Sequence, residues 1–218
     1  MVTETQTRPI VAEAPREIAV LKRREWSRLF AQPDRRRTKG KRDAALLAVL
    51  LGAGLRVGEC CRLTVEAVEV EHGYTRIRTR TSKQKVRAGA RPPARVVTLF
   101  PLAAKLLNDY IRHAEPRYWL FSGHQGEHLS TRAANGIVKR YLRQIGRGDL
   151  HCHDLRHSFA TEVIRTSRSI FVCAKLLGHA DPRTTQGFYA AWDSSEADAA
   201  SDLLGPVISP RKYKEDRR

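Results

Sequence analysis

The segment 151-HCHDLRHSFAT-161 sets three histidines, one cysteine, one aspartate and one arginine within seven residues. Two kinds of chemistry could use such density. The first is a metal site: on a strand, His151 and His153 would point the same way, with Cys152, Asp154 or His157 as a third ligand. The spacing argues against it, because neither a CxxC nor an HExxH pattern occurs. The second is a phosphate site. On a helix His153 and Arg156 lie three residues apart and share a face. There the arginine can grip a phosphate with two parallel N–H bonds while the histidine adds a ring N–H. His157 falls near the edge of that face and reads as structural, while Leu155 and Phe159 turn away from the pair and anchor the helix in a core. For this motif alone, a buried histidine satisfied by a neighbour is the plain alternative.

Two other stretches carry reactive side chains. In 52-GAGLRVGE-59, Arg56 stands just past a helix and Glu59 follows three residues later. In 177-LGHADPRTTQGFYA-190, His179 follows a helix-stopping glycine and Tyr189 lies on the helix beyond it. Between these stretches, residues 72–107 contain nine Lys or Arg and no Asp or Glu. Arg76, Arg78 and Arg80 alternate, so on a strand they share one face. Three stacked arginines without acidic partners repel one another, and a nucleic-acid backbone would relieve that. A solvated basic face is the alternative.

The elements that must position these residues can be read from periodicity. Residues 1–16 are polar and aperiodic and are expected to be disordered. Helices are expected over 23–31, 43–52, 101–113, 131–145, 154–166, 169–177, 182–192 and 194–204. Gly52 and Gly54 should end the second, Ser130 should cap the fourth, and Asp181 with Pro182 should open the seventh. The run 34-DRRRTKGKR-42, with six basic residues, reads as a loop. Val68, Val70, Ile77, Val96, Val97 and Leu99 point to about three antiparallel strands, punctuated by turns at His72-Gly73 and 88-AGARPP-93. Tyr110 and Tyr141 sit in apolar helical stripes and are expected in the core. The pattern is an α+β fold, mostly helical, in a single domain with a small sheet.

Composition narrows the partner. The chain has 218 residues and a net charge of +17, with 40 Lys and Arg against 23 Asp and Glu. Such a balance calls for a polyanion, and nucleic acid is the usual one; a ribosome-bound or merely soluble basic protein is the alternative. No secretory signal opens the chain, and no apolar run reaches the roughly 18 residues of a membrane span. The cysteines Cys60, Cys61, Cys152 and Cys173 lack the spacing of a disulfide framework, so they read as reduced thiols of a cytoplasmic protein.

GLRVGE, HDLRHSFAT and LGHADPRTTQGFY, in this order and rough separation, resemble the catalytic domain of the tyrosine recombinases, the phage-integrase family. The match covers about residues 17–205, leaving 1–16 as a leading segment and 206–218 as a basic tail. The resemblance implies that Arg56 and Arg156 clamp a phosphate, that His153 and His179 assist them, that Glu59 supports Arg56, and that Tyr189 is the nucleophile. A hairpin lysine completes the family's set; here it is Lys83, with Lys85 as second choice. No cofactor is implied, and no metal. Double-stranded DNA is the implied substrate, bound in part by Arg76, Arg78 and Arg80, with four protomers on two DNA sites. The segment 194-SSEADAASDLLGP-206 would dock on a neighbouring protomer or fold back on its own core.

The chemistry fits these residue types. Attack on a phosphodiester builds charge on the non-bridging oxygens, which two arginines and a histidine can stabilise. A tyrosyl ester keeps the energy of the broken bond, so rejoining needs no ATP. Lys83 would protonate the departing 5′-oxygen, and His153 would take the tyrosine proton. The pattern departs from the family in two places. Tyr189 lies ten residues after His179 where nine is usual, and Phe188 holds the usual slot; one residue is about 100° of helix rotation, which Gly187 would have to absorb. A short leading segment also stands where family members carry a DNA-clamping helical domain. This implies a minimal recombinase or a fragment, weak and salt-dependent binding, and help from an accessory DNA-binding protein. The reading is therefore a DNA strand-cleaving and rejoining enzyme; alternatives are a DNA-binding regulator of the same fold without a competent nucleophile, and a metal-dependent hydrolase.

Overall fold

A computed structural model describes residues 19–80 and 94–178, apart from the side chains of Arg80, Ala94 and His124. Helix α1 spans Arg23–Ala31, α2 Thr38–Ala53, α3 Val57–Cys61, α4 Pro101–Ala114, α5 Thr131–Gln144, α6 Cys152–Ser167 and α7 Ile170–Leu177. Strands β1 (Val68–Glu71), β2 (Tyr74–Arg80) and β3 (Ala94–Thr98) form one antiparallel sheet in that order. The helices expected at 182–192 and 194–204, and the turn expected at 88–93, lie outside the described residues.

Helix α2 is the centre of the core. Leu46, Leu47, Val49, Leu50 and Leu51 are all essentially inaccessible, each contributing about 1.5–3 kcal/mol through burial. Apolar residues run around its whole circumference, as a helix surrounded by others requires. It packs against α4 on one side and α6 on another. The approach to α4 is close at Gly52, where an added Cβ would come within 2.9 Å of the Ala103 Cβ. Gly52 therefore lies inside the helix as a contact point. Gly54, at φ 60°, provides the stop.

The basic run 34–42 was expected as a loop, but α2 begins at Thr38. Lysine and arginine lose little rotamer freedom in a helix, and here the charges find partners. Lys41 Nζ lies 2.8 Å from Asp109 on α4. Asp43, buried in the core, accepts from Arg42, Arg140 and the Tyr141 hydroxyl. Tyr110 and Tyr141 are core residues, as their stripes require.

The sheet packs its inner face on α4 and its edge strand β3 against α7. The register sets Ile77 opposite Val97, and both are buried. The β1–β2 turn uses His72 at φ 51° and Gly73 at φ 79°. On the outer face Arg76 and Arg78 do have acidic partners. Arg76 pairs with Glu71 at 2.7 Å and Arg78 with Glu69 at 2.6 Å. Both glutamates come from β1, which precedes the acid-free stretch in sequence but lies beside β2 in space. The face is thus an exposed set of ion pairs, and the expectation of unrelieved self-repulsion does not hold there. Among the described residues no helix is long and apolar enough to cross a membrane.

Candidate functional site

Three segments far apart in sequence meet beside the end of α2. Gly54 turns the chain, Leu55 is buried, and Arg56 caps α3. The short helix is held by its own third residue. The Glu59 carboxylate accepts the Arg56 backbone N–H at Oε2 (3.0 Å) and the Arg56 guanidinium at Oε1 (2.9 Å). Cys60 and Cys61 pin the same helix into the core. The Arg56 side chain keeps about a quarter of its surface exposed, whereas the Glu59 side chain keeps 1%.

The second segment is α6. It starts earlier than its apolar periodicity suggests, because the Asp154 carboxylate accepts the His151 N–H at 2.7 Å and so caps the first turn. His151 is therefore the residue before the helix and His153 lies within it, which removes the strand geometry that a His151–His153 metal pair would need. Lys139 on α5 steadies the approach, donating to the carbonyls of Gly148 and Leu150. Leu155 and Phe159 face the core, as expected. Arg156 faces it too. It is 3% exposed, and its guanidinium donates to the Gly54 carbonyl at 2.6 Å and the Leu177 carbonyl at 2.9 Å. His153, three residues before it, is exposed. The three-residue spacing thus leaves the two side chains in different surroundings. The His153 ring meets the half-buried His157 ring edge-on, with centroids 4.5 Å apart. Burial, reinforced by His153, pulls the His157 imidazole below its ordinary range.

The third segment is β3, and it supplies a residue that the motif analysis missed. Arg95 is 8% exposed. It donates to Glu59 Oε2 at 3.1 Å and to the Leu177 carbonyl. Its signal in the sequence was present: positions 95 and 97 alternate onto the buried face of β3, Leu99 continues the line just past the strand, and only 95 is charged. Counting it among the basic residues of the hairpin concealed that.

The electrostatics follow from this packing. Three guanidiniums, those of Arg56, Arg95 and Arg156, share the Glu59 carboxylate, with Arg156 at 4.0 Å. Burial alone would raise the Glu59 carboxyl. Arg95 and the bonds from Arg56 outweigh it and hold Glu59 below the usual carboxylate range. Arg156 is pulled down to about 9, chiefly by burial and then by Arg56 and Arg95. A second anion beside the cluster would reverse that shift, so the group is electrostatically suited to a phosphate.

Arg76 and Arg78 lie on the outer face of β2, and Arg80 ends that strand. Lys83, Lys85, His179 and Tyr189 lie outside the described residues. The described chain ends at Gly178, one residue past the Leu177 carbonyl that Arg95 and Arg156 both hold. Among the described residues, no group of three His, Cys, Asp or Glu side chains comes together as a metal-ligand set.

Comparison with known proteins gives the same answer as the motifs. The profile of the phage integrase family matches residues 19–196. The tyrosine recombinase XerD of Neisseria meningitidis serogroup B is 34% identical over 160 residues, covering 73% of this chain and 54% of its own. The crystal structure of the XerH site-specific recombinase bound to palindromic difH substrate, a post-cleavage complex, superimposes with a TM-score of 0.70 at 20% identity. It covers 87% of this chain and 54% of that one. The catalytic domain of bacteriophage HP1 integrase, at 19% identity and TM-score 0.53, is matched over its whole length and 90% of this chain. This chain belongs to the phage integrase family, and its fold is that of the tyrosine recombinase catalytic domain. It spans about half the length of the curated relatives it matches.

Proposed function

We propose that this protein cleaves and rejoins DNA strands at specific sites through a covalent 3′-phosphotyrosyl intermediate. The observation that carries the reading is the meeting of Arg56, Glu59 and Arg156, brought from two motifs 100 residues apart into one positively charged cluster of a phage integrase family member. Arg56, the more exposed of the two arginines, binds a non-bridging oxygen of the scissile phosphate, and Arg156 supplies charge from beneath. Tyr189 attacks phosphorus through its phenolic oxygen, with His153 taking the proton. The P–O5′ bond breaks, and Lys83, with Lys85 as second choice, protonates the departing 5′-oxygen. His179 adds a hydrogen bond to the phosphate, where charge grows as phosphorus becomes five-coordinate. Attack by a 5′-hydroxyl on the phosphotyrosine runs the same steps backwards, so no cofactor is consumed.

Duplex DNA is the substrate, with Arg76, Arg78 and Arg80 reaching its backbone, Arg76 and Arg78 exchanging their pairing with Glu71 and Glu69 for phosphates. The catalytic unit is residues 17–205, flanked by segments 1–16 and 206–218. Four protomers act on two DNA sites in the cytoplasm, at the nucleoid, with an accessory DNA-binding protein. The extra residue between His179 and Tyr189 favours a second reading, a DNA-binding regulator of the same fold without a competent nucleophile.

Covalent trapping separates the two. The protein is mixed in EDTA with duplex DNA bearing its site and a nick that lets the cleaved end diffuse away, then resolved on a denaturing gel beside Tyr189→Phe. A shifted band that the substitution abolishes is the expected result. Binding without the band supports the regulator, and a band that survives the substitution assigns the nucleophile to another residue.

A further inference from the structure

Glycine weakens a helix, and Gly58 sits in the first turn of α3, where the backbone is helical and needs no left-handed residue. What lies over it gives the glycine a use. A Cβ added there would come within 3.2 Å of Arg62 Nη2, 3.8 Å of Arg62 Cζ and 3.9 Å of the Thr131 methyl. The space above the bare backbone holds the Arg62 guanidinium, with the first residue of α5 beside it. Arg62 caps the far end of α3. Side chains on a helix lean toward its N-terminus, so Arg62 lies back along the turn that Arg56 opens.

That place disfavours a cation. The first turn is the positive end of a helix, and Arg56 already caps it. Arg62 is exposed, and among the described residues no carboxylate lies within 4.0 Å of its guanidinium. Glu59, the one acid of α3, is engaged by Arg56, Arg95 and Arg156. Helix α5, which packs against α3, carries four basic residues and no acidic one. The corner between the two helices therefore presents positive charge that no described side chain balances. DNA offers one negative charge on each link of its backbone. A strand whose scissile phosphate rests on Arg56 brings its next phosphate one nucleotide away.

We propose that Arg62 is a second phosphate seat: its guanidinium, lying in the space that Gly58 leaves open beside Thr131, binds the DNA phosphate next to the one held by Arg56. The proposal rests on the phosphate-clamp reading above and extends it by one link of the substrate backbone. One phosphate locates a strand, and a second fixes the direction in which it runs. Both seats belong to one five-residue helix.

The test measures binding of the full chain to a fluorescent duplex of mixed sequence across a salt series. Arg62→Ala should weaken binding about tenfold, the worth of one charge-assisted hydrogen bond, and lower the slope of log K against log salt by about one. Gly58→Met keeps every charge but takes the place of the guanidinium. It should lower the slope equally, and it should add nothing to Arg62→Ala, because both remove the same contact. If Gly58→Met does not fold, Gly58→Ala replaces it, with a smaller loss that vanishes in the Arg62→Ala background. On the duplex used for covalent trapping, one uncharged methylphosphonate next to the scissile link should weaken binding of the unsubstituted protein and leave Arg62→Ala unaffected. A slope that ignores Arg62→Ala while DNA still binds overturns the proposal and leaves the Arg56 clamp intact. A slope that falls in Arg62→Ala but not in either Gly58 variant overturns the seat over Gly58. Equal sensitivity of both proteins to the methylphosphonate overturns its place beside the scissile phosphate. Failure of the unsubstituted protein to bind any duplex overturns the DNA reading, and the second seat with it.

Discussion

Replacing Glu59 with glutamine should cost about 3–5 kcal/mol of stability. Glutamine keeps the size of the side chain and can still accept the Arg56 backbone N–H, so the change isolates the charge. The carboxylate is 1% exposed and contacts Arg56 at 2.9 Å, Arg95 at 3.1 Å and Arg156 at 4.0 Å. Without it, the buried Arg95 and Arg156 face each other and Arg56 with the compensation removed. Breaking a buried ion pair from one side costs about 3–5 kcal/mol. At about 2–4 °C per kcal/mol for a chain of this size, the melting temperature should fall by about 6–20 °C. Urea denaturation at pH 7 measures the free energy, and thermal unfolding followed by circular dichroism measures the shift. A pH series adds a sign. Because the Glu59 carboxyl lies below its ordinary value in the folded protein, its contribution is fully present above the unfolded value. It is lost as the pH falls through the folded one, so the gap between the two proteins should narrow once the pH drops below the ordinary glutamate value of about 4.3 and close below the depressed one. A loss under about 1 kcal/mol at pH 7, or a gap that persists in acid, would refute the claim that this carboxylate holds the arginines together.

Gly54→Ala should destabilise by about 2–5 kcal/mol, from the left-handed backbone and from a Cβ placed 2.3 Å from the Phe159 ring; urea denaturation showing less than about 1 kcal/mol would sink this. Arg78→Ala should change stability by no more than about 0.5 kcal/mol, because its pair with Glu69 is exposed. It should lower the slope of log K against log salt for DNA binding by about one, and an unchanged slope would remove Arg78 from the DNA face. Because Arg156 is depressed to about 9 in the folded protein, its charge fades above that pH. Covalent-complex yield should therefore fall on the alkaline side, while the cost of burying the charge is relieved and the Arg156 contribution to stability rises. Yield that stays flat to about pH 10 would contradict the shift.

How much of this was legible in the sequence depends on what each residue is read against. Periodicity placed α1, α4, α5, α6 and α7 within a few residues, because stripes such as those of α4, α5 and α7 are cleanly buried, but it missed the five-residue α3, too short to show a period. It failed at Thr38–Arg42, where the partners that steady the charges, Asp109 among them, are distant in sequence. Arg56 and Glu59 were legible because a helix start and its third residue make a local unit. The burial of Arg156 was not: nothing in HDLR says that the end of α7 and the carbonyl of Gly54 will close over it. The pairing of Arg78 with Glu69 was hidden because a hairpin brings together charges nine residues apart. Arg95 was overlooked because its count among basic residues outweighed its place in an alternating line.

The two carbonyls held by Arg156 have a consequence for how this architecture could decay. Gly54 and Leu177 are the last turns of two helices that otherwise have no covalent reason to stay together, and Arg156 joins them. A lineage that lost its chemistry would still need that joint in order to fold, and would still need Arg56 to neutralise the buried Glu59. Neither arginine by itself is therefore a witness to activity in this chain: each has a structural reason to persist.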